Sequence, residues 1–135
     1  MVALVPLAAC SGDDSRVTHK EYPAHVEPID GSELSRVILT AKAIQRIDLQ
    51  TTPLGEEQLN GSRHKVVPYS SLLYDPQGRT WIYISPQPRT FVRFQVDVDR
   101  IEGDRVFLRD GPPLGTVVAS VGVAELYGAE FGVGH

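Results

Sequence analysis

The chain is poor in the residues that most catalytic and metal chemistry requires. It has one cysteine, which excludes an intramolecular disulfide and a cysteine-based zinc site. No apolar run reaches the ~18–20 residues that a bilayer-spanning helix needs. Basic residues are scattered: 13 Lys and Arg stand against 17 Asp and Glu, a formal net charge of −4. Nucleic-acid-binding domains carry a clustered basic face, so no nucleic-acid partner is expected. There is no Gly-x-Ser-x-Gly elbow. Gly111–Gly115 lacks the lysine and following helix of a phosphate loop, and Pro112 and Pro113 remove two backbone donors. There is no heptad run for a coiled coil. Neither an enzymatic activity nor a cofactor is expected.

What is present is a series of short β-type runs punctuated by turns. Asp75-Pro76-Gln77-Gly78 is a turn with a mechanism, because proline presets φ at the second position and glycine is favoured at the fourth. Glu102-Gly103-Asp104 and the Gly111–Gly115 stretch separate further strands. In Arg79–Ile84, Trp81 and Tyr83 share one face and Ile82 and Ile84 the other, so this strand is expected to be covered on both sides. Val106, Phe107 and Leu108 read in the same way. In Val92–Val98 the apolar residues 92, 94, 96 and 98 alternate with Arg93, Gln95 and Asp97, the pattern of a half-buried strand.

Upstream, Arg36–Leu39 reads as a strand. Thr40 can cap a helix through Ala41 to Leu49, with Ala43, Ile44 and Ile47 as its apolar stripe. Gln50–Leu54 reads as extended, Glu56–Lys65 as a polar connector with an Asn60-Gly61 turn, and Ala124–Tyr127 as a helical turn. Residues 11–32 are polar, broken by Pro23, Pro28 and Gly31 and without a period, so they read as a flexible tether. The expected organisation is an N-terminal segment 1–10, a tether 11–32 and one domain 33–135. The expected fold is mainly β, a β-roll or small barrel-like sandwich of about six strands with one short α-helix.

The ordered series resembles the C-terminal, membrane-proximal region of periplasmic adaptor subunits, the membrane fusion proteins of the HlyD type that work with RND efflux pumps. The residues that carry the resemblance begin with Val67-Pro68-Tyr69-Ser70-Ser71-Leu72, Gly78-Arg79-Thr80-Trp81-Ile82-Tyr83 and Val96–Arg100. Gly103-Asp104-Arg105-Val106, Gly111–Gly115, Val117-Val118 and Gly122-Val123-Ala124-Glu125-Leu126 follow in order. The piece from Leu39 to Leu54 resembles the strand–helix–strand that leads into such adaptors. In a full adaptor a lipoyl-like domain, a helical hairpin and a β-barrel follow that lead-in. Here about ten residues, Glu56–Lys65, stand in their place. The resemblance thus implies a membrane-proximal domain without the bridging parts. The partners it implies are an inner-membrane transporter or a full-length adaptor protein. Met ligands used by heavy-metal adaptors are not carried over, since Met1 is the sole methionine.

Leu7-Ala8-Ala9-Cys10 resembles the lipobox of bacterial lipoproteins, which implies cleavage before Cys10 and its acylation on the periplasmic side of the cell envelope. No Lys or Arg precedes the apolar run, and the alternative is an apolar end with an incidental cysteine. Ser11 rather than Asp follows Cys10, which under this resemblance leaves the outer membrane open as a destination.

Among binding candidates, Tyr69 and Tyr74 flank turns and are expected at the surface with Arg79, as partner contacts. Trp81 and Tyr83 are expected in the core. Asp97, Asp99, Glu102 and Asp104 form an acidic cluster, and Asp97 and Asp99 share a strand face that suits either solvent or a hard cation. His19, His25, His64 and His135 are far apart in sequence. No metal site is expected. The runner-up function is a stand-alone periplasmic lipoprotein that binds a ligand or metal, and a truncated gene fragment is a further alternative.

Overall fold

A computed structural model describes residues 22–132. Eleven strands and two helices follow in the order β1 (Ala24–Pro28), β2 (Ser35–Leu39), α1 (Ala41–Arg46), β3 (Gln50–Pro53), β4 (Gly55–Leu59) and β5 (Ser62–Pro68). After a 3₁₀ turn at Tyr69–Ser71 come β6 (Leu73–Tyr74), β7 (Thr80–Gln87), β8 (Thr90–Gln95), β9 (Asp97–Glu102), β10 (Arg105–Asp110), β11 (Val117–Val121) and α2 (Val123–Glu130). One sheet runs β1-β2-β8-β7-β11-β3, with β6 added beside β7. The second runs β4-β5-β10-β9. The neighbouring pairs are antiparallel.

The mainly β class holds, and the strand count has a simple origin. β3 continues into β4 through Leu54 alone, and β8 into β9 through Val96 alone. The chain therefore turns both corners between the sheets on single residues. Counted as continuous bent strands, β3–β4, β5, β10, β9–β8, β7 and β11 make a six-stranded barrel-like sandwich. The corner residues keep their hydrogen bonds. Leu54 N–H donates to the Thr116 carbonyl at 2.8 Å and Val96 N–H to the Thr80 carbonyl at 3.0 Å. Both side chains are buried in the core between the sheets. Bends in barrels are tolerated where backbone groups stay paired and the side chain gains a core.

β7 is covered on both sides, as its doubly apolar pattern requires. Ile82 packs between the sheets with Leu54, Val67, Val106, Leu108 and Val118. Tyr83 packs on the opposite side with Val37, Leu39, Phe91, Ala119, Val123 and Leu126, beneath the two helices. Val106, Phe107 and Leu108 are all buried. Thr40 caps α1 as expected, its Oγ1 accepting from Ala43 N–H at 3.0 Å. The helix ends at Arg46 instead of Leu49, because Asp48 takes a left-handed φ of 54°.

Three local readings are corrected. Glu56–Lys65 belongs to a hairpin, β4 and β5, whose Asn60-Gly61 loop has φ of 53° and 81°. Two positive φ values mark the I′-type turn that suits strand twist. Its polar residues misread as a connector because β4 is an edge strand whose Glu56 and Glu57 pair with Arg63 and Arg105. Ala24–Pro28, inside the stretch read as a tether, pairs along its whole length with β2. Its side chains are only half covered, so no clear period shows. The continuous strand Val92–Val98 is broken at Val96, and Arg93, assigned to its solvent face, is buried.

α2 begins at Gly122, whose φ is 95°. A Cβ there would lie 2.8 Å from Leu49 Cδ1 and 3.4 Å from its Cα. Gly122→Ala is expected to cost about 1–2 kcal/mol from the left-handed backbone, plus whatever displacement Leu49 undergoes. Urea denaturation should show the lower midpoint, and an unchanged midpoint would refute the packing assigned here.

Candidate functional site

The turn between β6 and β7 presents a rigid polar centre. Gly78 N–H closes the turn on the Asp75 carbonyl at 2.9 Å, with Gly78 at φ 83°. The Asp75 carboxylate then gathers four donors. Its Oδ1 accepts from the N–H groups of Gln77 and Arg79, both at 2.9 Å. Its Oδ2 accepts from Arg79 Nε at 2.7 Å and from the indole N–H of Trp81 at 3.0 Å. The carboxylate is almost wholly covered, while Arg79 is partly exposed and also faces Glu33 at 3.6 Å.

Desolvation pushes the Asp75 pKa up. The hydrogen bonds from Trp81 and from the backbone and side chain of Arg79 outweigh it and bring the value down from 3.8 to about 2. The native carboxylate thus stays charged to more acid pH than the unfolded one. Its stabilisation is complete above the ordinary carboxylate range and is lost as pH falls from about 4 through about 2. Asp75→Asn should therefore melt below the parent at pH 7, and the gap should shrink as pH falls below 4. A gap that stays constant down to pH 2, followed by Trp81 fluorescence, would contradict this.

Trp81 joins this turn to a second buried centre. The Arg93 guanidinium carbon lies 4.4 Å from the Trp81 ring centroid, and that of Arg79 lies 5.2 Å from it. Arg93 also stands over Phe131 at 5.1 Å. Its Nε donates to both Glu130 oxygens, at 2.9 and 3.1 Å. Tyr83 O–H donates to Glu130 Oε1 at 2.7 Å. Arg93 and Glu130 are 4% and 2% exposed, so neither charge could be tolerated without the other. Burial, and then the hydrogen bond to Glu130, push the Tyr83 phenol well above its ordinary pKa. A line of contacts thus runs from Glu33 at the surface through Arg79, Asp75, Trp81 and Arg93 to Glu130 on the last helix.

On this support stand the expected contact residues. Tyr74 and Arg79 belong to the same hairpin, where Tyr74 lies opposite Thr80. Tyr69 is placed elsewhere, its N–H donating to the Asp104 carbonyl beside the β9–β10 turn at 2.8 Å. Tyr69 and Tyr74 are 49% and 53% exposed, whereas Trp81 and Tyr83 are buried. Cys10, His19 and His135 lie outside the described residues.

The acidic strand face is engaged internally. Arg109 donates through Nη1 to Asp97 at 2.9 Å and through Nη2 to Asp99 at 3.0 Å. His64 Nε2 faces Asp99 at 3.1 Å, and its ring meets Phe107 edge-on. Glu102 pairs with Arg100, and Asp104 contributes its carbonyl to Tyr69. His25 pairs with Glu27 on β1. No group of three His, Cys, Asp or Glu side chains converges on a metal-sized site among the described residues. No helix among them is long and apolar enough to cross a membrane.

Arg93 and Glu130 escape a reading of the sequence. Strand alternation puts Arg93 with solvent, and Glu130 sits in what reads as a tail. One signal was available. In the β7–β8 hairpin Arg93 falls opposite Tyr83, so a doubly covered β7 requires Arg93 to be buried and paired with an acid.

No protein-family model matches the chain, and no curated protein matches it. Among solved structures it is similar to an NMR structure of the N-terminal metal-binding site and membrane-proximal domain of SilB from Cupriavidus metallidurans CH34. The identity is 18% and the TM-score 0.47, over 57% of this chain and 42% of that one. At that score the likeness assigns this chain no family, ligand or partner.

Proposed function

We propose that the chain is a non-enzymatic, adaptor-like docking domain of an efflux system, held on the periplasmic side of a membrane by acylated Cys10. One observation carries the reading. Two pieces of chain, 35–59 and 62–126, close a single body around the six-stranded barrel, and the link between them is the two-residue Asn60-Gly61 turn of the β4–β5 hairpin. The adaptor resemblance puts the lipoyl-like domain, helical hairpin and barrel at that link. A tight turn there closes the domain on itself, and no element at that link among the described residues reaches toward an outer-membrane duct.

The mechanism is positional. The acyl chains fix the domain at the membrane, since each buried CH₂ adds ~0.8 kcal/mol and two chains give stable anchoring where one does not. The barrel supplies a stiff surface, with Tyr69, Tyr74 and Arg79 as contacts to an inner-membrane transporter or a full-length adaptor. Tyrosines are effective anchors because they bury a large ring while keeping a polar tip. The engagement of Asp97 and Asp99 by Arg109 leaves the metal-binding lipoprotein reading without support.

Affinity capture from envelope extracts, with mass analysis of the captured protein, tests this. The expected result is a diacylated N-terminal Cys10 peptide and a co-purifying transporter or adaptor. Capture of neither partner class would sink the docking role, and an unmodified Cys10 would sink the anchor.

A further inference from the structure

The domain is acidic overall, yet cations without an acidic partner gather at one end of it. Six arginines, Arg63, Arg79, Arg93, Arg100, Arg105 and Arg109, are held in ion pairs. Arg36 on β2, Lys42 and Arg46 on α1 and Arg89 in the β7–β8 turn are exposed and make no ion pair among the described residues, and the last three lie together.

Backbone contacts gather these three. Lys42 and Arg46 stand four residues apart on one helix, hence on one face. Leu39, just before α1, donates its N–H to the Arg89 carbonyl at 2.9 Å. Two acids are near: the Asp48 carboxylate takes a hydrogen bond from the Gln50 side chain at 3.0 Å, and Glu125 on α2 lines a cleft with Tyr22, Ala43 and Ile47. Arg89 itself sits at φ 61°, a conformation that glycine or asparagine holds at lower cost. An arginine kept where the backbone disfavours it points to a use for its side chain.

The described chain starts at the same end. Thr40 N–H, at the α1 N-cap, donates to the Pro23 carbonyl at 3.1 Å. Tyr22, next to it, is 75% exposed, and tyrosine favours the headgroup level of a bilayer. The cations, the tyrosine and the point where the N-terminal segment joins the domain thus share one end.

We propose that this end rests on an anionic phospholipid surface, with Lys42, Arg46 and Arg89 meeting headgroup phosphates and Tyr22 at the interface. The inference rests on the proposed function for the domain's place at a membrane, with Cys10 as the point of attachment. Eleven residues separate Cys10 from Tyr22, a reach of at most about 40 Å. The patch can therefore come within the ~8 Å over which its charges act at physiological salt. Orientation follows: with this end down, the rest of the barrel faces away from the bilayer.

The test uses the full chain carrying Cys10→Ser, so that lipidation plays no part, in co-sedimentation with phosphatidylglycerol-containing and pure phosphatidylcholine vesicles. The ratio of the two partition constants cancels any apolar insertion by residues 1–9. That ratio is expected to exceed one at low salt, to collapse in 0.5 M salt, and to fall about a hundredfold when all three cations are neutralised, about fivefold for each. R89G separates fold from function: it should raise the melting temperature or leave it unchanged, and still weaken binding to anionic vesicles. Charge reversal at Arg63, Arg100 and Arg105 changes the net charge without touching this end and should matter less than the same reversal at Lys42, Arg46 and Arg89. No preference for anionic vesicles, or equal losses in the two triple variants, overturns the proposal. A preference for anionic vesicles that survives neutralisation of the three cations overturns it too, and leaves the patch to an acidic protein surface. An unmodified Cys10 in the native protein counts against the anchor, not against this result.

Discussion

Glu130→Ala is expected to cost about 3–5 kcal/mol of stability, the usual penalty for leaving a buried charge without its partner. Arg93 and Glu130 are nearly inaccessible, and the variant strands the Arg93 guanidinium among Trp81, Tyr83 and Phe131 with its strongest acceptor gone. Tyr83 loses the acceptor of its hydroxyl as well. The effect should reach beyond the pair, because Glu130 is the last residue of α2 and fastens that helix to the sheet. The helix also contributes Val123 and Leu126 to the core. Hydrogen exchange should show α2 amides losing protection before those of β7 and β8. Arg93→Ala should cost a similar amount, and the two effects should be far from additive in a double-mutant cycle. Replacing the pair with apolar residues of similar volume, Arg93→Met with Glu130→Leu, should recover much of the loss. Near-additive single effects of under 1 kcal/mol would show that the pair is solvated and does not hold α2.

Trp81→Ala is expected to cost about 3–5 kcal/mol, the range for truncating a large buried aromatic. Trp81 is 3% exposed and, among the described residues, is the side chain that touches both polar centres. Its indole N–H serves Asp75, and its ring lies beside the Arg93 and Arg79 guanidiniums. Trp81→Phe separates the contributions. It keeps a ring for the cations and gives up the hydrogen bond, so it should cost about 1–3 kcal/mol, the range for leaving a buried acceptor short of a donor. The phenylalanine variant should also bring the Asp75 pKa back toward its ordinary range, since the Trp81 hydrogen bond is the largest influence lowering it. Carbon-13 NMR titration of the Asp75 carboxylate would read this directly. Equal losses for the alanine and phenylalanine variants would mean that the indole N–H, not the ring, carries the stability.

Much of the barrel is legible from local patterns, because the interactions that set it are local or period-two. Ile82 and Tyr83 announce a strand covered on both sides. Thr40 announces a cap, and Asp75-Pro76-Gln77-Gly78 a turn. Tyr69 and Tyr74 lie beside turns and are exposed. What escapes is set by tertiary structure. Arg93 reads as solvent-facing, since nothing within its own strand says that a helix from the chain's end will cover it. Its acid lies 37 residues away, in a segment with one helical turn visible. β1 and β4 are edge strands with partly exposed side chains, so neither shows a strict alternation. The exposed cations at the α1 end are individually ordinary. Their grouping depends on the Pro23–Thr40 and Leu39–Arg89 backbone contacts, which no sequence period encodes.

The docking role requires that the Tyr74–Arg79 hairpin meet a partner in the cell envelope. A photo-crosslinking residue placed at Tyr74, with a second chain carrying it at Gln58 on edge strand β4, measures this in intact cells. A crosslink to an inner-membrane transporter or a full-length adaptor is expected from position 74, lost when Arg79 is replaced by Glu, with a weaker product or none from position 58. Crosslinks of equal yield from both positions, or none from position 74, would contradict it.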